Sequence, residues 1–459
     1  MKQKIKIVGI TFSALLLLHG GNVESADSAK VSNNIPEEVF IDNRKSVIPI
    51  DTNIDFGLEP GILYYADPRI EENGLNRGLR INYVTMQFSE VSVDGINPHS
   101  IDRAGDTDRF YMRTQNSYSF DVINFKEDST KTILLEDADR GVIKHKPRAI
   151  GGYNKKYNIQ LLSAKDMPVV DVVDVETDTV LATLGDQNNE YTVGSNAGED
   201  GTGHALWFDE DHFGLIDRVS NFIRIYSVSK DTDDTLIFTH VQDFRTKKAV
   251  HTIERVEDAT TREDSLTFYA MVDGDVNDGT APSVLEIRFD PDSGVLIKGR
   301  EVVFEESIAS VNTIKPTTHH SGISADGKYL IVPILDGKVY FVNRVDMSIE
   351  KVLDAKLGAA HVNVSKEENV IVITNHFSHE LTFIDARSLK VIKHLEISEH
   401  PFDPGNKHLL QPHFSYIGPD GRYYYTFATQ DGMFLKIDLR TLEIVDDLET
   451  GGAPEQAHS

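Results

Sequence analysis

The chain has 459 residues, a formal net charge of −27 and no cysteine. The acidic balance argues against nucleic acid as a partner, because phosphate binding needs a basic face. The missing thiols exclude disulfide staples, thiolate metal ligands and a cysteine nucleophile, so any transition-metal site must be built from histidine and carboxylate.

The first residues, "MKQKIKIVGITFSALLLLHGG", place lysines ahead of an apolar run that ends at Leu18. This layout predicts a secretory signal peptide over residues 1–26, cut after Ala26, and a soluble protein exported to the periplasm. The run from Phe12 to Leu18 is far shorter than the roughly 20 residues of a bilayer span, so no membrane insertion is expected. Residues 27–90 come before the first clear repeat. Their strand-like stretch "GLRINYVTMQFSEVSV" is expected to close a ring by completing its last blade.

From residue 91 to 459 the chain is a series of short alternating or apolar runs separated by Asp, Gly, Asn and Ser, which reads as all-β. A strand, turn, strand unit recurs with turn-entry residues Asn124, Asp174, Tyr226, Arg288, Asn343, Asp385 and Asp438. These lie about 40 to 60 residues apart, the period of propeller blades. A second hairpin falls between units, as in "HSGISADGKYLIV" and "HVNVSKEENVIVIT", so each repeat holds four strands. The expectation is an all-β, seven-bladed β-propeller with four-stranded blades.

Aligning the blades brings histidines into register at the start of the first strand: His99 in "NPHSID", His204 in "GTGHALWF", His320 in "TTHHSGIS", His361 in "GAAHVNVS" and His413 in "QPHFSYIG". First strands line a propeller's central channel, so these residues should converge on the axis at one mouth. His319 is one step off and joins them only if the backbone is irregular there. Histidine is 17 of 459 residues, so such a column is far denser than chance. Clustered imidazoles oppose one another's protonation, and a divalent cation bound by neutral rings resolves that conflict.

The metal set is therefore His99, His204, His319, His320, His361 and His413. A carboxylate such as Asp102 would orient a ring from behind. His251 and His145 are weaker candidates. His376 and His379 in "NHFSHE" fall at a turn on the same mouth, where solvated residues outweigh a second site. His212 is expected at the opposite face in a structural role, and no role is assigned to His458. Nitrogen ligands without sulfur favour Zn(II), with copper less favoured.

At "VVDVVDVETDTVLATLG" and "VITNHFSHELTFIDARSLKVIKHLE" the chain resembles the YVTN-type propeller repeats of exported bacterial proteins. At "TGHALWFDEDHFGLIDR", "HHSGISADGKYL" and "NHFSHELTFID" it resembles the periplasmic zinc chaperones of zinc ABC-transport systems. That resemblance implies a non-enzymatic, monomeric metallochaperone that holds zinc near the channel mouth and passes it to the solute-binding protein of a zinc ABC importer. The rival is a copper enzyme resembling the nitrous oxide reductase propeller, whose electron-entry copper domain needs cysteines this chain lacks. A third reading is a protein-binding or polysaccharide-binding scaffold, for which the single Trp207 offers little aromatic platform.

Overall fold

The computed structural model describes residues 6–8, 61–68, 76–95, 97–114, 116–135, 144–187, 201–256, 259, 261–275, 277–307, 317–400, 410–454 and 456–458. The remainder of the expected leader, and its cleavage site at Ala26, lie outside the described residues. Among the described residues nearly every element is a strand; the one α-helix, Arg262–Ser265, is four residues long.

The strands form eight sheets, each meandering from a first strand to a fourth. Seven are continuous in sequence, over 98–134, 147–185, 206–245, 250–303, 322–354, 359–396 and 416–449. The remaining sheet takes Ile62–Asp67, Asn76–Asn82 and Gln87–Val93 from one end of the chain and Gln456–His458 from the other. The propeller therefore has eight blades, not the seven expected. The missed blade has no inner strand of its own: its three outer strands precede the first complete repeat, and the C-terminal strand supplies the fourth.

Burial explains both the closure and the count. Successive side chains of a strand point to opposite faces, and each blade is packed on both faces. In the blade over 416–449, Tyr424 packs into one hydrophobic cluster with Val370, Val372 and Phe383 of the preceding blade. Tyr425, its neighbour, joins another with Tyr65, Leu79 and Ile81 of the chain-end blade. Eight such interfaces run round the ring and leave no sheet face unpaired among the described residues.

The closure is fastened by polar contacts as well. Gln456–His458 pairs antiparallel with Tyr64–Ala66. Buried Asp67 accepts from Arg77 at 2.8 Å and from the Ala453 backbone N–H at 2.8 Å. Arg77 also donates to the carbonyls of Thr450 and Gly451 at 2.9 and 3.0 Å. Lys6–Val8 pairs parallel with Ile237–Thr239, on the outer edge of the blade over 206–245.

A candidate metal centre at the propeller axis

Each blade's first strand is the one nearest the axis, and the backbone at its start is irregular wherever a clustered histidine stands. In three blades the irregularity is a register shift: between Pro98 and Ser100 around His99, between Val250 and Ile253 around His251, and between Ala359 and His361. Such bulges re-aim a side chain. In three other blades the inner strand shrinks to two residues, Leu206–Trp207, Gly322–Ile323 and Tyr416–Ile417. His204, the pair His319 and His320, and His413 occupy the non-strand backbone just ahead of these. That irregularity lets both members of the adjacent pair face the axis. Gly203 makes room beside His204, because a Cβ there would lie 2.7 Å from the carbonyl oxygen of His251.

The rings form one continuous cluster. His99 meets His413 at 4.7 Å between centroids, and His413 meets His376 at 4.5 Å. His361 lies 5.2 Å from His376, 4.8 Å from His319 and 4.5 Å from His320, the last pair stacked. His319 lies 4.3 Å from His251, and His320 lies 5.1 Å from His204. Within this cluster three triads bring ligand nitrogens within 4.8 Å of one another: His204, His251 and His320; His319, His320 and His361; His319, His376 and His413.

Five of the six expected residues, His204, His319, His320, His361 and His413, belong to triads. His99 stands at the edge against His413 and belongs to none. Two triad members had been set aside in the sequence. His251 is the weaker candidate in the sequence; His376 stands at the turn expected, but is 2 % exposed instead of solvated, beside the inner strand of its own blade. Its backbone N–H donates to the Gly358 carbonyl at 2.8 Å, which docks the turn against that strand's start. His379 stands outside the triads. His145 contacts Asp171 at 2.7 Å with both side chains fully buried, and the Thr183 hydroxyl donates to the other oxygen of Asp171. His212 contacts Asp209 at 2.9 Å and packs beside Phe289, as a structural residue would.

Electrostatics favour the neutral form of six rings of the cluster. Burial pushes the pKa values of His204, His251, His319, His361 and His413 well below the ordinary histidine value. It pushes His376 down to about 3. Charge adds to burial: the guanidiniums of Arg148, Arg113 and Arg218 act on His204, and neighbouring rings act on His319. Neutral imidazole is the form that binds a metal.

Hydrogen bonding then decides which nitrogens are available. Among the described residues, four ring nitrogens are buried without a partner: His319 Nδ1, His361 Nε2, His376 Nε2 and His413 Nδ1. Each such group costs about 1–3 kcal/mol when left unsatisfied. His376 Nδ1 lies 3.1 Å from the Gln411 carbonyl oxygen and so carries the proton, leaving Nε2 with its lone pair. The side chain of buried Gln411 is itself fixed, accepting from Asn375 N–H and donating to the Ser378 carbonyl, each at 2.8 Å. Glu254 lies 3.4 Å from His320 Nδ1, so the orienting carboxylate comes from the neighbouring blade. His251 differs: Arg218 donates to its Nδ1 at 3.1 Å while also pairing with Asp273 at 2.7 Å.

Three imidazoles with lone pairs on one small space suit a borderline cation. Zinc at roughly 2.0–2.1 Å from tetrahedral nitrogens needs them about 3.3 Å apart, so a triad closes by at most about 1.5 Å on loading.

No protein-family model matches the chain, and no curated protein matches it in sequence. Among solved structures it is similar to the dihydro-heme d1 dehydrogenase NirN in complex with DHE, at a TM-score of 0.61 and 10% identity, covering 87% of this chain and 75% of that one. It is also similar to a protein from Lactobacillus plantarum, at a TM-score of 0.52 and 11% identity, covering 75% of this chain and 98% of that one. At these identities the likeness concerns the β-propeller fold.

Proposed function

We propose that this protein is a periplasmic carrier of Zn(II), holding the ion with histidines at the propeller axis and passing it, without catalysis, to the solute-binding protein of a zinc ABC importer. The observation that carries the reading is the His319, His376 and His413 triad, in which every ring has a buried nitrogen with no other partner. A three-ligand site leaves the fourth zinc position open, as a cargo site needs if an acceptor's ligand is to enter before the carrier's ligands leave. The formal charge of −27 raises the local concentration of cations around the chain. The leader-like first residues support export, and the acceptor follows from the resemblance of the histidine-bearing segments to zinc chaperones.

The test is transfer. The zinc-loaded protein is mixed with the metal-free solute-binding protein of a zinc importer, the two are separated, and zinc is measured in each. The expected result is zinc on the acceptor, faster than its release to buffer, with copper loading that does not displace zinc delivery. Zinc that stays put, or reaches the acceptor only at the rate of free release, overturns the delivery role.

A further inference from the structure

The three triads are not independent, because two rings are counted twice. His320 belongs both to the triad with His204 and His251 and to the one with His319 and His361. His319 belongs both to that middle triad and to the one with His376 and His413. The two outer triads share no residue. An imidazole in use at one site is withdrawn from the other, so the middle site can fill only while both shared rings are free.

We infer that the cluster is a track of three overlapping cation sites that holds two ions at most, one at each end, with the His319, His320 and His361 triad as the crossing point between them. This rests on the metal-binding reading above and adds its stoichiometry and internal route. An ion leaving the His319, His376 and His413 end keeps His319 while it gains His320 and His361. It then keeps His320 while it gains His204 and His251. At each step one ring stays bound, so no step requires a bare ion. The stacked contact of His320 and His361 at 4.5 Å and the His319 to His361 contact at 4.8 Å place the middle ligands between the two ends.

The ends differ in readiness. The His319, His376 and His413 rings have unengaged nitrogens. At the other end Arg218 occupies the Nδ1 lone pair of His251 and must let go before that ring can serve. The order of loading is therefore fixed, with the His376 end first.

The test counts Zn(II) by native mass spectrometry on the full mature chain and on variants. The unaltered protein should carry two ions, and His361→Ala, which removes only the crossing point, should also carry two. His320→Ala should carry one. The double variant His204→Ala with His376→Ala, which breaks both ends, should still carry one in the middle. His319→Ala with His320→Ala should carry none. His361→Ala should also slow removal of one ion by a chelator at least tenfold. Three ions in the unaltered protein, one ion lost in His361→Ala, or unchanged removal in His361→Ala would each overturn the track while leaving zinc binding intact. No ion in the unaltered protein overturns the zinc reading itself. Should a double variant fail to fold, Co(II) titration of the unaltered protein serves: the absorption should change shape after the first equivalent and stop at the second, and a single spectrum rising to one equivalent refutes the track.

Discussion

His376 sets its Nδ1 3.1 Å from the backbone carbonyl oxygen of Gln411, and that partner cannot change protonation state. The contact fixes the tautomer and leaves Nε2, buried and without a partner, as the lone-pair nitrogen of the ring that forms a triad with His319 and His413. Loss of an outer-shell partner alone costs about 10–100-fold in metal affinity, so loss of the ring should cost more. His376→Ala is expected to cut the zinc bound in calorimetric titration from two ions to one and to remove the tighter of them, with little loss of thermal stability because a buried orphan nitrogen goes with it.

Arg218 has the opposite effect on its end of the cluster. Its guanidinium donates to His251 at 3.1 Å and pairs with Asp273 at 2.7 Å. Arg218→Gln frees the imidazole and removes a positive charge from the site, and should tighten the second zinc bound by about tenfold, or about 1.4 kcal/mol. The same titration separates this from any effect on the first ion.

The low pKa values set a pH dependence whose sign follows from linkage. Unfolded histidines take up protons near pH 6.5, whereas buried His376 stays neutral down to about pH 3. The unfolded state therefore binds more protons below pH 6.5, and the metal-free fold loses stability as pH falls through that value. His376 alone should cost about 1.4 kcal/mol per pH unit until its own pKa is reached. Chemical denaturation of metal-free protein from pH 7.5 to 4.5 measures this, and a flat profile below 6.5 refutes it. For the same reason zinc binding should persist below pH 6, where an exposed histidine site would fail.

His145 and Asp171 make a control away from the cluster. Breaking a fully buried pair leaves an uncompensated charge and costs about 3–5 kcal/mol. His145→Ala should therefore lower stability strongly while leaving the number of zinc ions unchanged.

Much of this was legible in the sequence, and the parts that were not share a cause. The turn-entry residues Asn124, Asp174, Asn343, Asp385 and Asp438 all sit at the ends of third strands, where their side chains accept backbone N–H groups of the following turn. Asn82 does the same for Val84 and Thr85, so the eighth blade carried the signal too. It went uncounted because its inner strand is supplied by residues 456–458, some 370 positions from Asn82 along the chain. The inner-strand histidines could be aligned because they recur once per blade. His319 depended on backbone that is not a regular strand, and His376 on a turn pressed against the inner strand by the Gly358 hydrogen bond. Periodicity cannot reveal either one, since neither stands in a regular strand.

The central claim is that imidazoles at the axis hold zinc. Calorimetric zinc titration of the metal-free protein, beside a variant carrying His319→Ala and His320→Ala, tests it most directly. The account predicts binding tighter than about micromolar, a free energy beyond about −8 kcal/mol, that falls by at least about 100-fold in the variant. Millimolar binding that is the same in both proteins would contradict it.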